Sequence, residues 1–222
     1  MKILMAFWNN RVIWRWEDRS STLRLSRFPN SRRREENDKI KAGEMPEGWV
    51  NNPAKRSQKD TDARWTKKHG KNHYGYKNHV NVDRRHKLVR RYEVTDAAVH
   101  DSQVIDDILD PDNTTSGVWA DSAYRSAEIE EMLSAKGLKS RVHRKGRCNK
   151  PLSEREKQGN KSRSKVRARV EHIFGAQNND MGGTLVRSIG LTRAKARIGL
   201  KNLAYNMRRL VQLERLATAA SP

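Results

Sequence analysis

The strongest constraint on the fold is the run His73-Tyr74-Gly75-Tyr76-Lys77-Asn78-His79-Val80-Asn81-Val82, where large apolar or aromatic side chains alternate with polar ones. Successive residues of an extended chain point to opposite faces, so this period fits a half-buried strand. The polar tetrad Asp83-Arg84-Arg85-His86 reads as a turn, and Leu88-Val89-Arg90-Arg91-Tyr92-Glu93-Val94 can return as a second strand. Two such strands joined by a short polar connection predict an antiparallel hairpin.

Downstream the period lengthens. Val99, Val104, Ile105, Ile108 and Leu109 fall near helical spacing, with Asp101 or Ser102 available as a cap. Gly117-Val118-Trp119-Ala120 is a short strand of buried type ending at Asp121-Ser122, where a helix can start. Ala127, Ile129, Met132, Leu133 and Ala135 supply that helix's apolar positions, Gly137 ends it, and Leu138 to His143 reads as another strand. A basic connector, 144–163, precedes a helix over about 165–177 bearing Val166, Val170, Ile173 and Phe174. After a glycine-bearing loop, a long amphipathic helix over about 193–216 carries Ile198, Leu200, Leu203, Met207, Leu210 and Leu213. The order is strand, strand, helix, strand, helix, strand, which is compatible with an α/β fold without establishing it.

The first part of the chain reads differently. Trp8, Trp14 and Trp16 crowd together, and six arginines with no acid run from Arg19 to Arg34. Neither period 2 nor period 3.6 organises residues 1–37, which are expected to be irregular. From Glu35 to Lys71, Gly43, Pro46, Gly48, Asn51, Asn52 and Pro53 give turn composition, and an exposed loop is expected. Met1 to Trp8 is mildly apolar but Asn9 and Asn10 follow, and nowhere do the ~20 apolar residues of a spanning helix occur, so neither signal peptide nor membrane segment is expected. The single cysteine, Cys148, has no internal partner and no zinc-ligand spacing around it, which fits a reducing cytoplasm.

Charge points to a partner. Against 26 Asp+Glu stand 47 Lys+Arg, a formal net charge of +21, more than solubility requires. Such an excess suits a polyanion, nucleic acid first, although a ribosomal-type or merely solvated basic surface has the same composition.

Two acids stand out. Asp121 closes a short apolar strand, where an open sheet presents side chains to a crevice and a carboxylate can hold a metal ion; it also reads as an N-cap. Glu171, 50 positions later, is the lone acid among Lys165, Arg167 and Arg169. It reads either as an i,i+4 partner of Arg167 or as a carboxylate serving a divalent cation beside phosphates held by the arginines. Lys67, Lys68, Lys71, Arg125, Arg144, Lys145, Arg163, Arg167 and Arg169 are candidate phosphate contacts.

The text around these acids goes further. Val118-Trp119-Ala120-Asp121-Ser122-Ala123-Tyr124-Arg125-Ser126, Arg167-Ala168-Arg169-Val170-Glu171-His172-Ile173-Phe174-Gly175 and Tyr74-Gly75-Tyr76-Lys77-Asn78-His79 together resemble insertion-sequence transposases of the IS-five group. So do Thr95-Asp96-Ala97-Ala98-Val99-His100-Asp101-Ser102 and Gly199-Leu200-Lys201-Asn202-Leu203-Ala204-Tyr205-Asn206, in the same order, over roughly 35–216. The resemblance implies an RNase H-like mixed sheet flanked by helices, with an Asp-Asp-Glu triad holding two divalent cations, Mg²⁺ or Mn²⁺. It implies double-stranded DNA, transposon ends and target, as partner, cutting and joining of strands as activity, and a bacterial, nucleoid-associated location. It makes Asp121 the second triad member, Glu171 the third and Arg167 the basic residue one helical turn earlier. Two departures are Ser164, where related transposases often carry tyrosine, and Asn178, where their signature has lysine. Residues 38–216 are then the catalytic domain and 217–222 a tail.

The triad's first aspartate belongs on the first sheet strand, expected within about 18–27. Asp18 is the only acid near it, and Arg19-Ser20-Ser21-Thr22 stands after it in place of an apolar strand. With the composition shift near residue 34, this suggests an N-terminal stretch translated out of frame, or a start inside a broken gene, and a defective copy. The alternatives are a non-catalytic DNA-binding remnant that inhibits intact transposase and a basic RNA-binding protein. No Gly-x-Ser-x-Gly elbow and no Gly-x-x-x-x-Gly-Lys phosphate loop occurs. The leucine face of the last helix suggests core packing, with a homodimer contact as a further use.

Overall fold

The hairpin read from the alternation is the centre of the molecule, whose computed structural model describes residues 11–14, 34–68, 70–110, 117–146, 151–183 and 188–219. Strand β3 (Lys71–Asp83) and strand β4 (Val89–Asp96) pair antiparallel from Tyr76 opposite Asp96 to Val82 opposite Val89. The turn is closed by the Asp83 N–H to the Leu88 carbonyl at 2.8 Å. Lys87 sits in this turn at φ 59°, left-handed backbone that non-glycine residues avoid, and its carbonyl accepts the Tyr205 hydroxyl at 3.0 Å.

On the other side of β3 lies β1 (Arg11–Trp14), antiparallel to it. β5 (Gly117–Trp119) is parallel to β1, and β6 (Lys139–Ser140) is parallel to β5. The Arg141 and His143 amides extend that last pairing to the carbonyls of Val118 and Ala120. The first half of β3 pairs with β2 (Arg64–Lys68). The fold is thus a mixed six-stranded sheet with helices on both faces.

Strand parity sorts the two faces. Val80 and Val82 turn to one side, joining Val89 of β4, Val170, Ile173 and Phe174 of α6 (Glu154–Asn179) and Tyr205 of α7 (Leu191–Ala219) in one buried cluster. On the opposite face Val118 and Ala120 pack with Ile105 and Ile108 of the one-turn helix α4 (Ile105–Ile108) and with Ile129 and Leu133 of α5 (Ala127–Ala135). Here Asn81 donates to the Ile108 carbonyl at 2.7 Å, and buried Asp101 lies 3.4 Å from the Lys77 ammonium. Pairing Asp101 with a cation offsets the cost of burying its charge.

Polar groups seat α7. The Asn78 side-chain amide on β3 donates to Asn202 at 3.1 Å, and Gln177 of α6 donates to the same oxygen at 2.9 Å. At the start of α7, Asp60 accepts the Gly190 amide at 3.1 Å and Asp62 the Leu191 amide at 2.8 Å, where carboxylates satisfy free amides and oppose the helix dipole.

Several expectations are corrected. The exposed loop expected over 35–71 contains α1 (Arg34–Lys41), α2 (Glu47–Val50), α3 (Pro53–Ser57) and β2. Trp49 is fully buried there and donates to Glu36 at 3.0 Å, so one aromatic anchor gathers a segment with no apolar period. Arg11–Trp14 is a strand within the stretch read as irregular, because neighbours on both edges supply its hydrogen bonds. The connector expected over 144–163 is already helical from Glu154: Ser153 and Glu156 form a reciprocal capping box. The helix expected near 99–109 is a 3-10 turn, 101–103, followed by α4, and His100 rather than Asp101 or Ser102 caps the turn.

Candidate active site

Asp121 stands two residues beyond β5 and is 5% exposed. Its carboxylate accepts the Ser122 amide at 2.6 Å, so it does act as a cap, for a 3-10 turn over 122–124. Helix α5 has its own cap, Ser126, which accepts the Ile129 amide at 3.2 Å. Trp119 packs with the α6 cluster while Val118 and Ala120 face α5.

Glu171 is on that helix. α6 runs against β1 and β5, burying Val170, Ile173 and Phe174, and leaves Glu171 exposed beside them. The elements carrying the two predicted carboxylates therefore adjoin. Arg167 lies in the same helix, its side chain outside the described residues.

The first sheet strand supplies no acid. Arg11 is opposite Val118 and Val12 opposite Trp119, and the strand's four residues, Arg11–Trp14, include no carboxylate. Asp18 lies outside the described residues, among which no three His, Cys, Asp or Glu side chains gather in a group that could hold a metal ion. Two carboxylates do not make up the donor set of a two-cation site, so the described residues do not fit one.

Cations do gather nearby. Arg163 on α6 is half-buried; burial lowers its affinity for its proton, and Arg144, Arg125 and Arg141 lower it further while Glu130 opposes them. Arg125 lies 3.8 Å from Glu130, and Arg144 is paired with Glu156 at 2.6 Å, which first of all causes holds the Glu156 carboxyl down at about 2. Four arginines from three separate chain segments thus act on one another electrostatically, Arg125 directly following the 122–124 turn, a concentration of charge that phosphate oxygens would relieve. Lys145 is exposed just beyond.

Other predicted contacts lie apart. Arg169 donates to the Arg84 carbonyl at 2.9 Å at the β3–β4 turn, and Arg209 of α7 donates to the His86 carbonyl there at 2.7 Å. Burial and then Arg209 and Arg169 push the Lys87 ammonium below its ordinary pKa. Arg84 stacks 5.0 Å from the Trp119 ring centre. Sequence reasoning missed this second group, since three distant segments build it. Lys67 is exposed on β2, and Lys68 and Lys71 pair through their backbones where β2 meets β3.

A family model described as Transposase DDE domain matches residues 39–207. The chain belongs to this DDE transposase family. It is 33% identical over 165 residues to the transposase for insertion sequence element IS1106 of Neisseria meningitidis serogroup B, covering 73% of this chain and 56% of that protein. The chain thus spans little more than half the length of that relative. No solved structure matches. Within this transposase domain the matched stretch takes in Asp121, Glu171 and the arginine group, and stops short of β1. No helix among its described residues is long and apolar enough to cross a membrane.

Proposed function

We propose that this transposase domain binds double-stranded DNA at transposon ends and descends from enzymes of the IS-five group that cut and join strands with Mg²⁺ or Mn²⁺. We further propose that this copy is impaired in cleavage. The strand order β4-β3-β1-β5-β6, with its antiparallel half followed by a parallel half, supports the RNase H-like sheet that the resemblance implies. The observation that supports the impairment is that β1, the strand paired with β5 through Arg11–Val118 and Val12–Trp119, carries no acid within Arg11–Trp14.

This chain's own residues account for DNA binding. Arg125, Arg141, Arg144 and Arg163 hold phosphates, and the Ser122 amide fixes the Asp121 carboxylate. Bound without cleaving, the domain would occupy ends that an intact transposase needs and so inhibit it.

Strand nicking and joining on end DNA with Mg²⁺ or Mn²⁺ tests this reading, comparing the chain with Asp121→Ala and Glu171→Ala. Binding without cleavage in all three is expected. Cleavage by the parent chain that is lost in both variants would refute the impairment and mean that Asp18 or another acid completes the site. Absence of DNA binding would refute the whole reading.

A further inference from the structure

α7 carries two apolar faces, and the sheet uses one. Ala194, Ile198, Asn202 and Tyr205 are buried against the rest of the molecule. At 100° per residue, Leu200, Leu203, Met207 and Leu210 project from the opposite side, 67%, 55%, 61% and 37% exposed. A helix that covers a sheet is polar on its outer side when that side meets water. These four instead have the 3-4-3 spacing of a helix-pairing seam.

The seam also reads the same in both directions. About position 205, Leu200 mirrors Leu210 and Leu203 mirrors Met207, while on the flanks Gly199 mirrors Val211 and Ala204 mirrors Asn206. A two-fold interface needs a patch that complements itself, and an antiparallel helix pair with its axis level with Tyr205 meets that condition. Charge selects the same arrangement. On one flank Gly199 lies against Tyr92 and Asn206 is bound to Val89 of β4, and on the free flank Ala204 and Val211 are uncharged, so charge there does not oppose close approach. Glu214 continues the seam by one turn; antiparallel pairing brings it to the level of Arg193 and Arg197 of the other copy, whereas parallel pairing sets Glu214 against itself.

We infer that this face of α7 is the contact for a second copy of the chain, forming a two-fold antiparallel helix pair. The contact lies on the side of α7 away from the sheet and is independent of whether the Asp121 site cleaves DNA.

Sedimentation of the nuclease-treated full chain over about a hundredfold range of concentration, at high salt to suppress association through residual polyanion, tests it. A mass rising from one chain to two, abolished in Leu203→Glu and Met207→Glu with the circular dichroism melt unchanged, is expected. Direction is read by oxidative crosslinking in a Cys148→Ser background. Leu200→Cys/Leu210→Cys together should crosslink, and neither single variant should. A single-chain mass at every concentration, association that survives both glutamates, or crosslinking by either single cysteine would overturn the inference.

Discussion

The side-chain amide of Asn206 on α7 pairs with both backbone groups of Val89, accepting its N–H at 2.8 Å and donating to its carbonyl at 2.8 Å. It acts as a one-residue extension of the sheet, satisfying the edge of β4 where the ladder with β3 ends. Asn206→Leu should leave both Val89 groups unpaired under the helix and lower stability by about 2 kcal/mol, read as a lower urea midpoint at unchanged slope.

Tyr76 and Asp60 hold the other end of α7. The Tyr76 hydroxyl lies 2.8 Å from both carboxylate oxygens of Asp60, and burial, together with that carboxylate, holds the phenol well above its ordinary range. Tyr76→Phe removes a charge-assisted donor and should cost about 2 kcal/mol. Hydrogen exchange of the first turn of α7 should rise along with the drop in global stability, since Asp60 also holds the Gly190 amide.

His86 makes stability depend on pH. Burial lowers its pKa, Asp83 opposes that, and Arg85 and Arg209 add to it. The unfolded chain then takes up a proton near pH ~6.5 while the folded chain does not. The stabilising contribution is complete above that pH and is lost as pH falls toward the lower folded-state value. His86→Gln should flatten the urea midpoint against pH in the window just below ~6.5; an unchanged slope would assign the dependence elsewhere.

Arg125 and Arg163 are expected to bind phosphate. Each changed to Ala should weaken end-DNA binding and reduce the slope of log affinity against log salt by about 1. Lys136→Ala is the comparison, because that lysine pairs with Asp106 and stands outside the arginine group; its slope should match the parent's. Equal slopes in all variants would remove the arginine group from the interface.

The hairpin, the strand just before Asp121 and the last two helices were legible because each carries its own period or punctuation over consecutive residues. Arg11–Trp14 was not: four residues have too little pattern, and both neighbours that make them a strand lie far along the chain. Trp49 went unread for a similar reason, since its burial depends on packing across the Glu35–Lys71 stretch and not on spacing within it. Of the candidate site, the motifs marked Asp121 and Glu171, but only the packing of α6 on β1 and β5 brings their elements together.

Local periodicity and residue chemistry, both short-range properties, therefore determined the hairpin, the long helices and the basic character of this chain, while the resemblance of its motifs pointed to the family. The tertiary structure alone decided which strand pairs with β5, which arginines act on Arg163, and which face of α7 is left over after the sheet is covered. Those depend on contacts between residues separated by tens to more than a hundred positions, such as Asn78 with Asn202, and no local pattern encodes them.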